Sequence, residues 1–76
     1  MQTPETVLNS YYLETRCQLL EIAAMLDRYD RAQNSAAAPR RDQRIDLLHE
    51  SLSMLSKQES ATDRCERLLN LFSDPQ

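Results

Sequence analysis

Leu8, Tyr12, Thr15, Leu19, Ile22, Leu26 and Tyr29 recur at alternating steps of four and three in the N-terminal half of the chain. Such steps keep one seam on one face of an α-helix, so the pattern predicts a long amphipathic helix rather than a strand. Thr3-Pro4-Glu5 supplies its start: a hydroxyl N-cap, proline at the first helical position, and an acid where the helix dipole is positive. No glycine or proline interrupts the run from there to about Gln33. About thirty residues at 1.5 Å rise make a rod of roughly 45 Å. Tyr11, Leu20, Ala23 and Met25 widen the apolar arc beyond a narrow two-stranded seam. An arc of that width suits a helix touched on two sides, as in a four-helix bundle.

Asn34-Ser35-Ala36-Ala37-Ala38-Pro39 reads as a connector. Asn34 can take the left-handed conformation that ends a helix where glycine is unavailable. Pro39 pushes Ala38 away from helical geometry, so a second helix is expected from Pro39 or just after, over about 40–56. A connector of this length lets it fold back antiparallel to the first. Ile45, Leu48, Leu52 and Leu55 give it a seam, but the same register next meets Glu59. A new register picks up Ala61 or Thr62, Cys65, Leu68 or Leu69, and Phe72. Either the helix runs on with a stutter, or it breaks and Ser60 with Asp63 caps a short third helix over about 61–72. The cap signal coincides with the slip and favours the break. Ser73-Asp74-Pro75 then ends the chain.

Composition bounds the rest. A chain of 76 residues is one small domain, whose core is marginal without a staple or a partner. With no Trp and one Phe, that core falls to Leu, Ile, Met, Ala and Tyr. The complete absence of glycine argues against tight β-hairpins and removes glycine-rich phosphate loops and dinucleotide fingerprints. A net charge of -3 and a pI near 5.0 do not favour nucleic acid or an anionic membrane. No segment approaches the ~20 apolar residues of a membrane span, and the N-terminus lacks a signal-peptide pattern. A soluble, cytoplasmic, all-α protein is expected.

Several constellations carry candidate chemistry. Asp46 and His49 share a helix face at i, i+3, and Glu14, Glu21 and Asp27 lie on the first helix. Acid-x-x-His pairs facing carboxylates build ferritin-like metal sites in four-helix bundles, and dimerisation doubles the ligand set. Against this, Asp42, Asp46, His49 and Ser53 are rotated away from the Ile45–Leu48–Leu52 face. A hairpin turning at the connector also sets His49 nearest Met25, several turns from Glu14. Glu14 and Glu21 lie seven residues, about 10 Å, apart, too far for direct acid–base cooperation. Glu14 paired with Arg16 or Arg64 across an interface would specify register.

Charge concentrates at Asp27-Arg28-Tyr29-Asp30-Arg31 and at Arg40-Arg41-Asp42-Gln43-Arg44. Arginines at a helix N-terminus oppose its dipole, so another interaction must hold them. Arg40, Arg41 and Arg44, with no interleaved aromatic and against a net negative charge, make no nucleic-acid site. Cys17 levels with Lys57 in a straight hairpin, eight residues or roughly 12 Å short of Cys65, beyond disulfide reach. Both cysteines are expected as small buried hydrophobes.

Tyr12-Leu13-Glu14-Thr15-Arg16, the run Leu19 to Arg31, Asp63-Arg64-Cys65-Glu66-Arg67 and Leu71-Phe72-Ser73-Asp74 resemble short uncharacterised bacterial helical proteins of a planctomycete type. The resemblance covers the two ends of the chain, carries no activity, and implies a bacterial cytosolic origin and the break before Asp63.

The expectation is an all-α antiparallel helical hairpin with a short third C-terminal helix, dimerising into a four-helix-bundle-like assembly. Its function is expected to be non-enzymatic and without a cofactor: a self-associating protein–protein interaction module, an adaptor, regulator or assembly factor. The expected interface is Leu8, Tyr12, Leu19, Ile22, Leu26, Tyr29, Leu48, Leu52 and Leu55. The alternative is a metal-binding protein using Glu14, Glu21, Asp46 and His49 across a homodimer. A third reading is a subunit whose seam a different protein covers.

Overall fold

A computed structural model describes residues 2–58 and 61–73, and among these the chain is helical with no strand. Its elements are α1 (Pro4–Ser35), α2 (Gln43–Leu55) and α3 (Arg64–Ser73). The chain divides into two units, Met1–Pro39 and Arg40–Gln76. The first holds α1 alone; in the second, α2 and α3 pack on each other. No helix among the described residues is long and apolar enough to cross a membrane.

α1 begins where its cap predicts. The Thr3 hydroxyl accepts from the Thr6 amide at 3.1 Å, and Pro4 occupies the first turn, where its missing N–H costs nothing. The far end differs from expectation. Asn34 lies inside the helix, so it does not supply a left-handed stop. The Ser35 hydroxyl donates to the Arg31 carbonyl at 2.9 Å, and Ala36 leaves in extended backbone while its amide still reaches the Gln33 carbonyl. A serine hydroxyl satisfying a last-turn carbonyl removes the need for a residue at positive φ.

α2 opens later than Pro39, and the reason is electrostatic. Asp42 is its N-cap, accepting the Arg44 amide at 2.8 Å, so the connector runs over 36–42 and Arg40 and Arg41 stay outside the helix. Arg40 and Arg41 thus stay out of the first turn, where the dipole opposes positive charge, and Arg44 within it is offset by the Asp42 carboxylate. The same carboxylate receives the Arg44 guanidinium through Nε at 3.0 Å and Nη2 at 2.8 Å, while Arg41 Nε donates to Asp46 at 2.7 Å. Hydrogen bonds from the Arg44 side chain and amide pull the Asp42 carboxyl from its ordinary 3.8 down to about 2.

The second helix stops at Leu55 and does not continue with a stutter. The Arg64 guanidinium donates to the carbonyls of Lys57 and Gln58 at 3.0 and 3.3 Å, tying the start of α3 to the segment that leaves α2. Arg64 is thus engaged locally. Thr62 precedes α3 with φ of 63°, a left-handed geometry that crowds a β-branched side chain. In a chain with no glycine, threonine carries that turn. Its hydroxyl donates to the Ala61 carbonyl. α3 starts at Arg64, so Ala61 and Thr62 lie outside it; Asp63 immediately precedes it, its carbonyl taking the Arg67 amide at 3.0 Å. Glu59 and Ser60, the expected register fault and N-cap, and Asp74 and Pro75, the expected chain end, lie outside the described residues.

Burial is scant. Among the described residues Ile45 alone is a buried apolar side chain, and Ser51 alone a buried polar one. The Ser51 hydroxyl donates to the Leu47 carbonyl at 2.7 Å, so its burial leaves no unmet hydrogen bond. Around these, Leu47, Leu48, Leu52 and Met54 are half-buried on α2, with Leu68 and Leu71 on α3.

Two outcomes follow. Asp42 has a folded pKa below its unfolded one, so its stabilisation of α2 is fully present above about pH 4 and is lost as pH falls toward 2. Circular dichroism will show helix loss across that window, and Asp42→Asn, which still caps but does not titrate, will flatten it. Thr62→Gly relieves the left-handed strain and raises stability by about 1 kcal/mol, read from urea denaturation.

Candidate functional site

At 100° per residue, Val7, Leu8, Tyr11, Tyr12, Leu19, Ile22, Met25, Leu26 and Tyr29 fall within one arc of α1. The helix has no buried residue. Leu8 and Tyr12 are 60 and 64 % exposed, Leu19 is 56 % exposed and Ile22 is 38 %. Toward the C-terminal end the face closes on itself: Leu26, Tyr29 and Gln33 are half-buried, and Gln33 Nε2 donates to the Tyr29 hydroxyl at 3.1 Å. Scattered apolar side chains on a surface need no explanation, but a contiguous stripe along a helix is the mark of an interaction site. Leu13 and Leu20 stand outside this arc and are also exposed.

The remaining expected interface residues lie on α2. Leu48 and Leu52 are half-buried in the α2–α3 unit, and Leu55 is exposed. α3 adds surface that the sequence reading leaves out of the interface. Leu68 and Leu71 are half-buried, whereas Leu69 and Phe72 beside them are exposed. The i, i+3 spacing of Leu69 and Phe72 is the signal that flags them.

Of the candidate carboxylate–histidine residues, Glu14 and Glu21 lie in the first unit and Asp46 and His49 in the second. Asp46 is ion-paired to Arg41, and His49, Glu14 and Glu21 are exposed. Among the described residues no three His, Cys, Asp or Glu side chains gather to hold a metal ion. Asp63 Oδ1 is buried without a hydrogen-bond partner, a single oxygen beside the α2–α3 turn rather than part of a ligand set. Arg41 and Arg44 are neutralised locally by Asp46 and Asp42, which leaves little of a basic tip.

The cysteines correct their expectation: both are free thiols and exposed. Cys17 falls on the side of α1 opposite Leu19 and Ile22, and Cys65 lies off the Leu68–Leu71 flank of α3. No protein-family model, curated protein or solved structure matches this chain.

Because Cys17 points away from the apolar face, covering that face leaves it accessible. In a Cys65→Ser chain, Ellman's reagent will modify native Cys17 at a rate close to that of the unfolded chain, at low and high protein concentration alike. A strongly protected thiol would show that the opposite side of α1 is the covered one.

Proposed function

We propose that this chain is a non-enzymatic, self-associating protein–protein interaction module, acting as an adaptor, regulator or assembly factor. The observation that carries the reading is the uncovered apolar face of α1, thirty-two residues of helix with none buried. A helix held in water by its own propensity alone is marginal, and most helical stability in proteins comes from packing an amphipathic face. Each large apolar side chain on that face contributes roughly 1.5–3 kcal/mol on full burial. The proposed architecture is the hairpin and its four-helix-bundle-like dimer, in which α1 supplies the central contact through Leu19, Ile22, Leu26 and Tyr29. Exposed Leu55, Leu69 and Phe72 give the α2–α3 unit a further apolar surface for the same assembly.

The oligomeric state tests this directly. Size exclusion with light scattering will give a dimer at micromolar concentration, and Leu19→Asp with Ile22→Asp will shift it to monomer with loss of helix content. A wild-type chain that is monomeric, fully helical and cooperatively folded at those concentrations overturns the proposal.

A further inference from the structure

The two flanks of the α1 face differ in a way that restricts how two copies can meet. One flank, at seven-residue spacing, reads Tyr11, Gln18, Met25 and Ala32, all uncharged. The other reads Asn9, Arg16, Ala23 and Asp30, with a cation and an anion each seven residues from a central alanine. All four residues of this second flank are exposed, and neither Arg16 nor Asp30 is ion-paired among the described residues. A line carrying plus, small, minus is complementary to itself only when the second copy is reversed.

Resting on the self-association proposed above, we infer that α1 docks antiparallel on α1 of a second copy, with Ala23 beside the two-fold axis. Arg16 of each copy then faces Asp30 of the other, and both ion pairs form at once, as an isologous contact requires. The short side chain of Ala23 lets the helices approach at the axis. In this register Leu19 lies against Tyr29 of the second copy and Ile22 against Leu26. Thr15 lies against Gln33. Apolar meets apolar along the middle, the Tyr29 hydroxyl keeps Gln33 of its own helix as donor, and the Thr15–Gln33 pair closes each end.

The competing alignments lack this match. Sliding by one heptad puts Arg16 opposite Ala23, Leu26 opposite Thr15, and Leu8 opposite Gln33. Sliding by two puts Arg16 opposite Arg16. A parallel pair sets Arg16 near Tyr11 and Asp30 near Met25, with no opposite charge for either. In the chosen register Leu8 and Tyr12 extend past the overlap, opposite the connector of the second copy.

Charge reversal tests the register. Arg16→Asp alone, or Asp30→Arg alone, weakens self-association roughly tenfold, because two like-charge contacts replace two attractive ones. An equal mixture of the two variants forms a heterodimer with both pairs restored, and its affinity returns to within about threefold of wild type. Nitroxides on Asn9→Cys, in a chain with Cys17→Ser and Cys65→Ser, measure the orientation independently: 28 residues of axial offset predict about 40 Å, against under about 20 Å for a parallel pair. A wild-type dimer insensitive to the reversals, or one with the short distance, overturns the register while self-association stands. A monomeric wild type overturns both.

Discussion

Hydrophobic burial sets the limit on everything else in this fold, and the described residues supply little of it. Folding must offset about 1–2 kcal/mol of backbone entropy per ordered residue, and apolar side chains removed from water are the main source of that offset. Here one apolar side chain, Ile45, is buried among the described residues, while a dozen large ones are exposed. Local devices do the rest of the organising: the Thr3 cap, the Asp42 cap with its arginine, the Ser35 and Ser51 hydroxyls turned back on carbonyls, and Arg64 across the α2–α3 turn. Such contacts define where helices begin and end. They do not supply the free energy of a core, and the stripe on α1 is where that free energy is still available.

Of these local devices the Thr3 cap was legible in the sequence, as were the helical face of α1 and the break before α3. Thr3-Pro4 marks the first helix because capping depends on residues within one turn, and the seam from Leu8 to Tyr29 lies on one face because helical geometry puts it there. The change of register after Leu55 likewise announces a third helix. The start of α2 was harder to read. Pro39 and Asp42 are both sound start signals, and the choice between them depends on long arginine side chains reaching Asp42 and Asp46, which no spacing rule encodes. Asn34 misleads for a similar reason: the Ser35 hydroxyl makes a left-handed stop unnecessary.

Burial was the least legible property. Cysteine is commonly buried, yet Cys17 and Cys65 are exposed, because position on a helix rather than residue type decides exposure when so little interior exists. Ser51 is the converse case, a polar residue at a point of close packing, made tolerable by its bond to Leu47. The Asp46 and His49 pair shows what ligand spacing leaves out: Arg41, five residues before Asp46 and outside the helix, engages the carboxylate.

The absence of any buried residue on α1 has a thermodynamic consequence. A helix of thirty-two residues with none buried, if left uncovered, unravels from its ends by helix–coil statistics, gradually and without a sharp melting point. If another chain covers its face, as proposed, ordering and association become one equilibrium, and the amount of helix is set by protein concentration through mass action. Abundance then enters as a folding variable, and the length of α1 makes that dependence steep.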